Sequence, residues 1–208
     1  MSRRSTASAR RPFAESIAER TLPNGARFFV LENHFNPTVS LSGSMSAGGL
    51  FAPPDRRLIA SVTAAELAKG TTRHSKLELA EALESRGASL SFAADTSDPV
   101  GVDLSGAALS RDVETLLDLL VEILTSPVFP EEELEKEKKR LVGSIRQQQD
   151  QTSARAYEAV CRRIYPVGHP LHYRRGEERI AAVEALQRDD LERFYTERYG
   201  AGTFQVVL

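Results

Sequence analysis

The chain has no tryptophan, two methionines and a single cysteine, Cys161, in 208 residues. A lone cysteine excludes an internal disulfide and leaves the redox compartment open. No run approaches the roughly 20 consecutive apolar residues of a membrane span. The opening segment "MSRRSTASARRPF" lacks the apolar stretch a secretory signal needs. It is rich in arginine, but no aromatics are interleaved to stack on bases. Charge of one sign is also missing: 27 Lys and Arg against 29 Asp and Glu leave a net charge of −2. No bulk field therefore favours nucleic acid or an anionic membrane surface. What is present is ordinary for a globular domain, 41% hydrophobic and 27% charged, with enough apolar residues for one sizeable core. Residues 1–17 read as a flexible tail ahead of one domain, 18–208.

The pattern along that domain alternates between the two common periods. "AERTLPNGARFFVLEN" (18–33) reads as strand, turn, strand, with Asn24-Gly25 expected to supply two positive φ angles. "TVSLSGSMS" alternates as a half-buried strand. Pro53-Pro54-Asp55 stops it, and Asp55 is expected to cap a helix over Arg56–Lys69 that ends at Gly70. Ser75 and Glu78 fit a capping box for a second helix ending before Gly87. Residues 88–95 and 100–107 alternate as adjacent antiparallel strands. Ser110 is expected to cap an apolar helix that stops at Ser126-Pro127, and Pro130 opens a long one whose charge runs from acidic to basic. Helices over 153–164, 176–186 and 188–199 and a strand "TFQVVL" complete the order. That order predicts an α+β domain of two layers, helices packed on one face of a largely antiparallel sheet.

The ordered series "RTLPNGARFFVLEN", "LAKGTT", "ELAEALESRGASLSFAADTSD", "LLDLLVEILTSPVFPEEELEKEKKRL", "RIYPVGHPLH" and "LQRDDLERFYTERYG" resembles one half-unit of the M16 metallopeptidases, the pitrilysin, insulysin and mitochondrial processing peptidase group. The resemblance implies a unit that works in twos or fours, closing a chamber around a peptide or unfolded protein. In active units the helix before Lys-Gly-Thr carries H-x-x-E-H. Histidines at i and i+4 share a helical face and reach one Zn²⁺, while the Glu acts on the metal-bound water as general base.

Laid on that motif without a gap, the two histidine positions fall on Ser61 and Ala65 and the catalytic Glu on Ala64. A neutral hydroxyl and two methyl groups offer no zinc ligand. Glu66 sits one residue on, about 100° around the helix from the ligand face. The third-ligand position corresponds to Glu135, with Glu137 or Glu133 as register alternatives, and Glu135 is expected on a solvated face paired with Lys139. His169 and His172 read as loop packing, and His74 as a contact to solvent or a carbonyl. Ser61 lacks the G-x-S-x-G elbow of a hydrolase nucleophile. The resemblance thus implies a non-catalytic half, with no cofactor of its own, whose partner is another M16 half or subunit carrying H-x-x-E-H and the zinc. It is either a fused half or a separate subunit. The alternative is a scaffold of the respiratory-complex core-protein kind that handles no peptide.

Overall fold

The computed structural model describes residues 16–94 and 99–208. The elements run β1 (Ile17–Thr21), β2 (Arg27–Leu31), β3 (Thr38–Met45), α1 (Ile59–Glu66), α2 (Lys76–Glu84), β4 (Ser89–Ala93) and β5 (Val102–Leu109). Then follow α3 (Val113–Thr125), α4 (Glu131–Asp150), α5 (Thr152–Ile164), α6 (Gly176–Glu184), α7 (Arg188–Arg198) and β6 (Gln205–Val207). The predicted tail, residues 1–17, lies almost wholly outside the described residues, as does Asp95 of the predicted strand 88–95.

The strands form one open sheet in the order β1-β2-β6-β3-β5-β4. Every pairing is antiparallel except β2 with β6, which run parallel with Phe28 opposite Val206. The strand period sorts the two faces. Along β3, Leu41 and Met45 are buried while Ser40, Ser42 and Ser44 are exposed. Along β5, Val102, Leu104 and Ala108 are buried while Asp103, Ser105 and Ala107 are exposed. The buried face joins Ile59, Val62, Leu67, Leu79, Leu120 and Ile123 of the helical layer in one core. The predicted α+β, two-layer architecture is the one observed.

Several local expectations shift. Only Gly25 takes positive φ in the first hairpin (+91°), while Asn24 instead accepts the Ala26 N–H through its side chain at 3.2 Å. Asp55 does not cap α1: Arg56 N–H donates back to the Pro53 carbonyl, a turn that delays the helix until Ile59 behind Leu58. Ser110 does not cap α3 either, because a 3₁₀ turn over Ser110–Asp112 precedes it and leaves Asp112 at the N-cap. The capping box at Ser75 forms as the sequence predicts, with both the backbone and side-chain bonds to Glu78 in place.

Candidate functional site

The site is built around α1. After Glu66 the chain tightens into a 3₁₀ turn over Leu67–Lys69 and leaves it at Gly70, whose φ of +153° favours glycine. The "KGTT" turn is then latched by Glu122 of α3, which is almost fully buried. Its carboxylate accepts from the Thr71 hydroxyl, from Arg73 Nη2 at 2.8 Å and from His74 Nδ1 at 2.8 Å. Burial pushes that carboxyl up, but the hydrogen bonds from Thr71 and His74, with the His74 and Arg73 charges, outweigh it and hold it below its usual range. His74 keeps the solvent contact expected of it, with its side chain 40% exposed, and adds a bond to a buried carboxylate where a carbonyl was the alternative. The partner lies 48 residues away, beyond any local pattern.

One side of α1 opens on a cleft of about 210 Å³, bordered by Arg57, Ser61, Tyr157, His172, Tyr173 and Arg179. Ser61 Oγ donates to the Ala94 carbonyl at 3.0 Å, which ties the helix to the end of β4. Arg57 donates from Nη2 to the Gly168 carbonyl at 3.0 Å. Its Nε and Nη1 are buried and have no hydrogen-bond partner among the described residues. Burial pulls its guanidinium below the usual arginine range. Arg179, from α6, lies over the Tyr173 ring at 4.8 Å and donates to Tyr173 Oη at 3.1 Å and Gln148 Oε1 at 3.3 Å. His169 and His172 pack in the loop as predicted. His169 stacks on Tyr165 at 4.5 Å, and His172 Nδ1 donates to the Tyr165 carbonyl at 2.8 Å.

The other side of α1 faces the core. Ala64 is buried there, as are Thr63 and Glu66, each fully enclosed. Among the described residues, both Glu66 carboxylate oxygens and Thr63 Oγ1 have no hydrogen-bond partner. Burial pushes the Glu66 carboxyl up to about 7; Lys69 and Lys76 oppose the rise, and Glu137 and Glu133 add to it.

The α4 carboxylates that act on Glu66 are thus Glu133 and Glu137, and none of Glu133, Glu135 and Glu137 borders the cleft that Ser61 faces. Glu135 is half exposed, as expected, but its partner is not Lys139. Lys138 Nζ reaches it at 2.6 Å while also donating to the Leu186 carbonyl at 3.1 Å, so the pair closes at i+3 beside α6. Glu137 is held by Arg140 at 2.7 Å. Glu133 is bonded by Lys76 and Lys136, which bring its carboxyl down to about 2.

The resemblance sets α1 beside a zinc-bearing helix, and the donor set on α1 does not fit a zinc site. Ser61, Ala64 and Ala65 provide a single hydroxyl, already engaged by Ala94. Among the described residues no group of three or more His, Cys, Asp or Glu is placed to hold a metal ion. The residues that sequence reasoning missed are Arg57, Tyr157, Tyr173 and Arg179. They converge from separate elements, and only Tyr173 adjoins the "HPLH" loop that the sequence singled out.

The model of the insulinase family, peptidase family M16, matches residues 28–173. A crystal structure described as a peptidase M16 inactive domain from Pseudomonas fluorescens superposes with a TM-score of 0.79 at 21% identity, covering 92% of this chain and 45% of that one. A protease from Helicobacter pylori superposes with a TM-score of 0.78 at 14% identity, again covering 92% and 45%. No curated protein matches the chain. It spans a little under half the length of each of these structures. With the fold shared and most of the chain inside the family model, this protein is a member of the insulinase family, peptidase family M16.

Proposed function

We propose that this chain is a non-catalytic M16 half: part of the wall and substrate-contacting surface of a peptidase chamber whose zinc sits on another half or subunit. The observation that carries the reading is the state of α1. The helix keeps its place between the core and an open cleft, yet the positions corresponding to the H-x-x-E-H donors are Ser61, Ala64 and Ala65. The length ratio to the superposed structures, and the description of one of them as an inactive domain, support a unit that works beside a second half. Peptide or unfolded protein is the substrate class that the family suggests, and zinc is expected only on the partner.

The test is co-expression with a neighbouring or flanking M16 half that carries H-x-x-E-H, followed by co-purification and a fluorogenic peptide assay. The expected result is that the pair cleaves peptide, and that activity falls both when this chain is withheld and when the partner's H-x-x-E-H is disabled. A partner that neither binds this chain nor loses activity without it overturns the chamber role and favours the scaffold reading. Metal analysis of the chain alone, after dialysis against trace zinc, is expected to find far less than one ion per chain.

A further inference from the structure

Helix α5 is amphipathic, yet its apolar side is not spent on the core. Cys161 is its one buried residue. Tyr157, Val160 and Ile164 are 63%, 52% and 65% exposed. At the i, i+4, i+8 spacing of a helix ridge, Ala156, Val160 and Ile164 line up, all exposed. The neighbouring ridge, one residue back, is Arg155, Ala159 and Arg163, exposed as well. Neither arginine side chain makes an ion pair or hydrogen bond among the described residues. The helix's own carboxylate, Glu158, is taken by Arg162 at 3.2 Å. Residues 152–175 carry five arginines against that one glutamate, in a chain whose net charge is −2. An exposed apolar ridge beside an unneutralised basic one marks a contact surface, and its charge sets the sign of what it meets. Along the helix the two arginines are about 12 Å apart, at roughly 1.5 Å per residue. An extended chain covers that distance in about four residues. Tyr157 is also part of the cleft wall and meets Tyr173 edge to face at 6.2 Å. The stripe thus leads into a concavity, which a side chain can enter and the plane of a bilayer cannot.

We infer that the exposed side of α5 docks an extended peptide segment in which apolar residues lie between two carboxylate side chains. Tyr157, Val160 and Ile164 meet the apolar residues, and Arg155 and Arg163 meet the carboxylates. The inference rests on the reading that this wall contacts peptide, and it names the class of segment selected: acidic and apolar, not basic.

The experiment is calorimetric titration of the full chain, at low salt, with two peptides. One is acetyl-Glu-Leu-Val-Tyr-Glu-amide; in the other, lysine replaces both glutamates. The acidic peptide is expected to bind at least about tenfold more tightly, the size that two exposed ion pairs give, and the ratio should shrink as salt rises. Arg155→Glu combined with Arg163→Glu should invert the preference. Both side chains are exposed and unpaired, so this variant keeps its fold, which far-UV circular dichroism checks. Val160→Ser should weaken both peptides about fivefold. Equal affinity for the two peptides, or binding of neither, overturns the inference, as does an acidic preference that survives the double reversal. Binding to phosphatidylserine vesicles without binding to peptide makes α5 a membrane-contacting helix and also overturns it. So does self-association that Val160→Ser abolishes in a chain that takes no peptide. Peptide affinity lost on co-purification with the zinc-bearing half shows that this half covers α5, which overturns the docking while the chamber role stands. Binding to the chain alone is read without the partner, so the docking surface can hold while the chamber role fails.

Discussion

The two ends of the α1 region leave buried polar groups unpaired in opposite ways. Two residues before the helix, at the border of the cleft, the unpaired atoms are Nε and Nη1 of Arg57, enclosed although the cleft nearby is open. On the core side, among the described residues, the unpaired groups are the Thr63 hydroxyl and the Glu66 carboxyl, with two further carboxylates acting on the latter. A buried polar group without a partner is a standing cost to the fold at both places. The stretch from Arg57 to Glu66 therefore carries an unpaired cation at its start and, at its end, an acid whose cost is felt at neutral pH.

Substitutions on each side should break that division in a graded way. The largest effect is expected from Leu67→Ala, just beyond α1 and fully enclosed. It should lower unfolding free energy by about 2–5 kcal/mol in denaturant melts, while Arg86→Ala at an exposed site leaves it almost unchanged. Glu66→Gln comes next, with the opposite sign. The folded-state carboxyl titrates at about 7 against an ordinary 4.5, so the unfolded chain ionises first as pH rises. Wild-type stability from this group is full below pH 4.5, declines from there to about 7, and stays low above it. The variant should be more stable than wild type at pH 8 by up to about 3 kcal/mol, and the difference should shrink to near zero by pH 4. Melts at the two pH values check it, and a gain of equal size at both would mean that burial is not what raises the carboxyl. Ser61→Ala should cost least, about 0.5–1.5 kcal/mol for the lost bond to Ala94, with no pH dependence.

How much of this the sequence discloses depends on how far apart the interacting residues lie. Signals that act within a few residues were legible: the Ser75–Glu78 box, Pro130 opening α4, and the alternation of β3 and β5. The family resemblance set Ser61, Ala64 and Ala65 against the expected metal positions, and all three lie on α1. Local signals misplaced the caps at Asp55 and Ser110 because a turn can precede a helix without altering its composition. Contacts between distant segments left no local trace. His74 with Glu122, the parallel β2–β6 pair and the convergence of Arg57 with Arg179 all depend on the assembled layers. Glu66 is the instructive middle case. Its turn away from the metal face follows from helix geometry, but only the packed core shows that it turns into an enclosure without a partner.

Strand β6 carries a consequence for how the chain reaches its native state. Residues 205–207 lie between β2 and β3, so the hairpin of β1 and β2 joins the rest of the sheet only through them. The segment at positions 27–29 must wait for a partner almost 180 positions later. Closing a loop of that length is slow, and during synthesis the early hairpin and the β3-β5-β4 sheet remain separate pieces with unpaired edges. Those edges are the groups on which a growing chain can aggregate or pair with a neighbour. Residues 205–207 therefore act as a clasp, and the yield of soluble protein should depend on them more steeply than on any stretch of equal length elsewhere in the sheet.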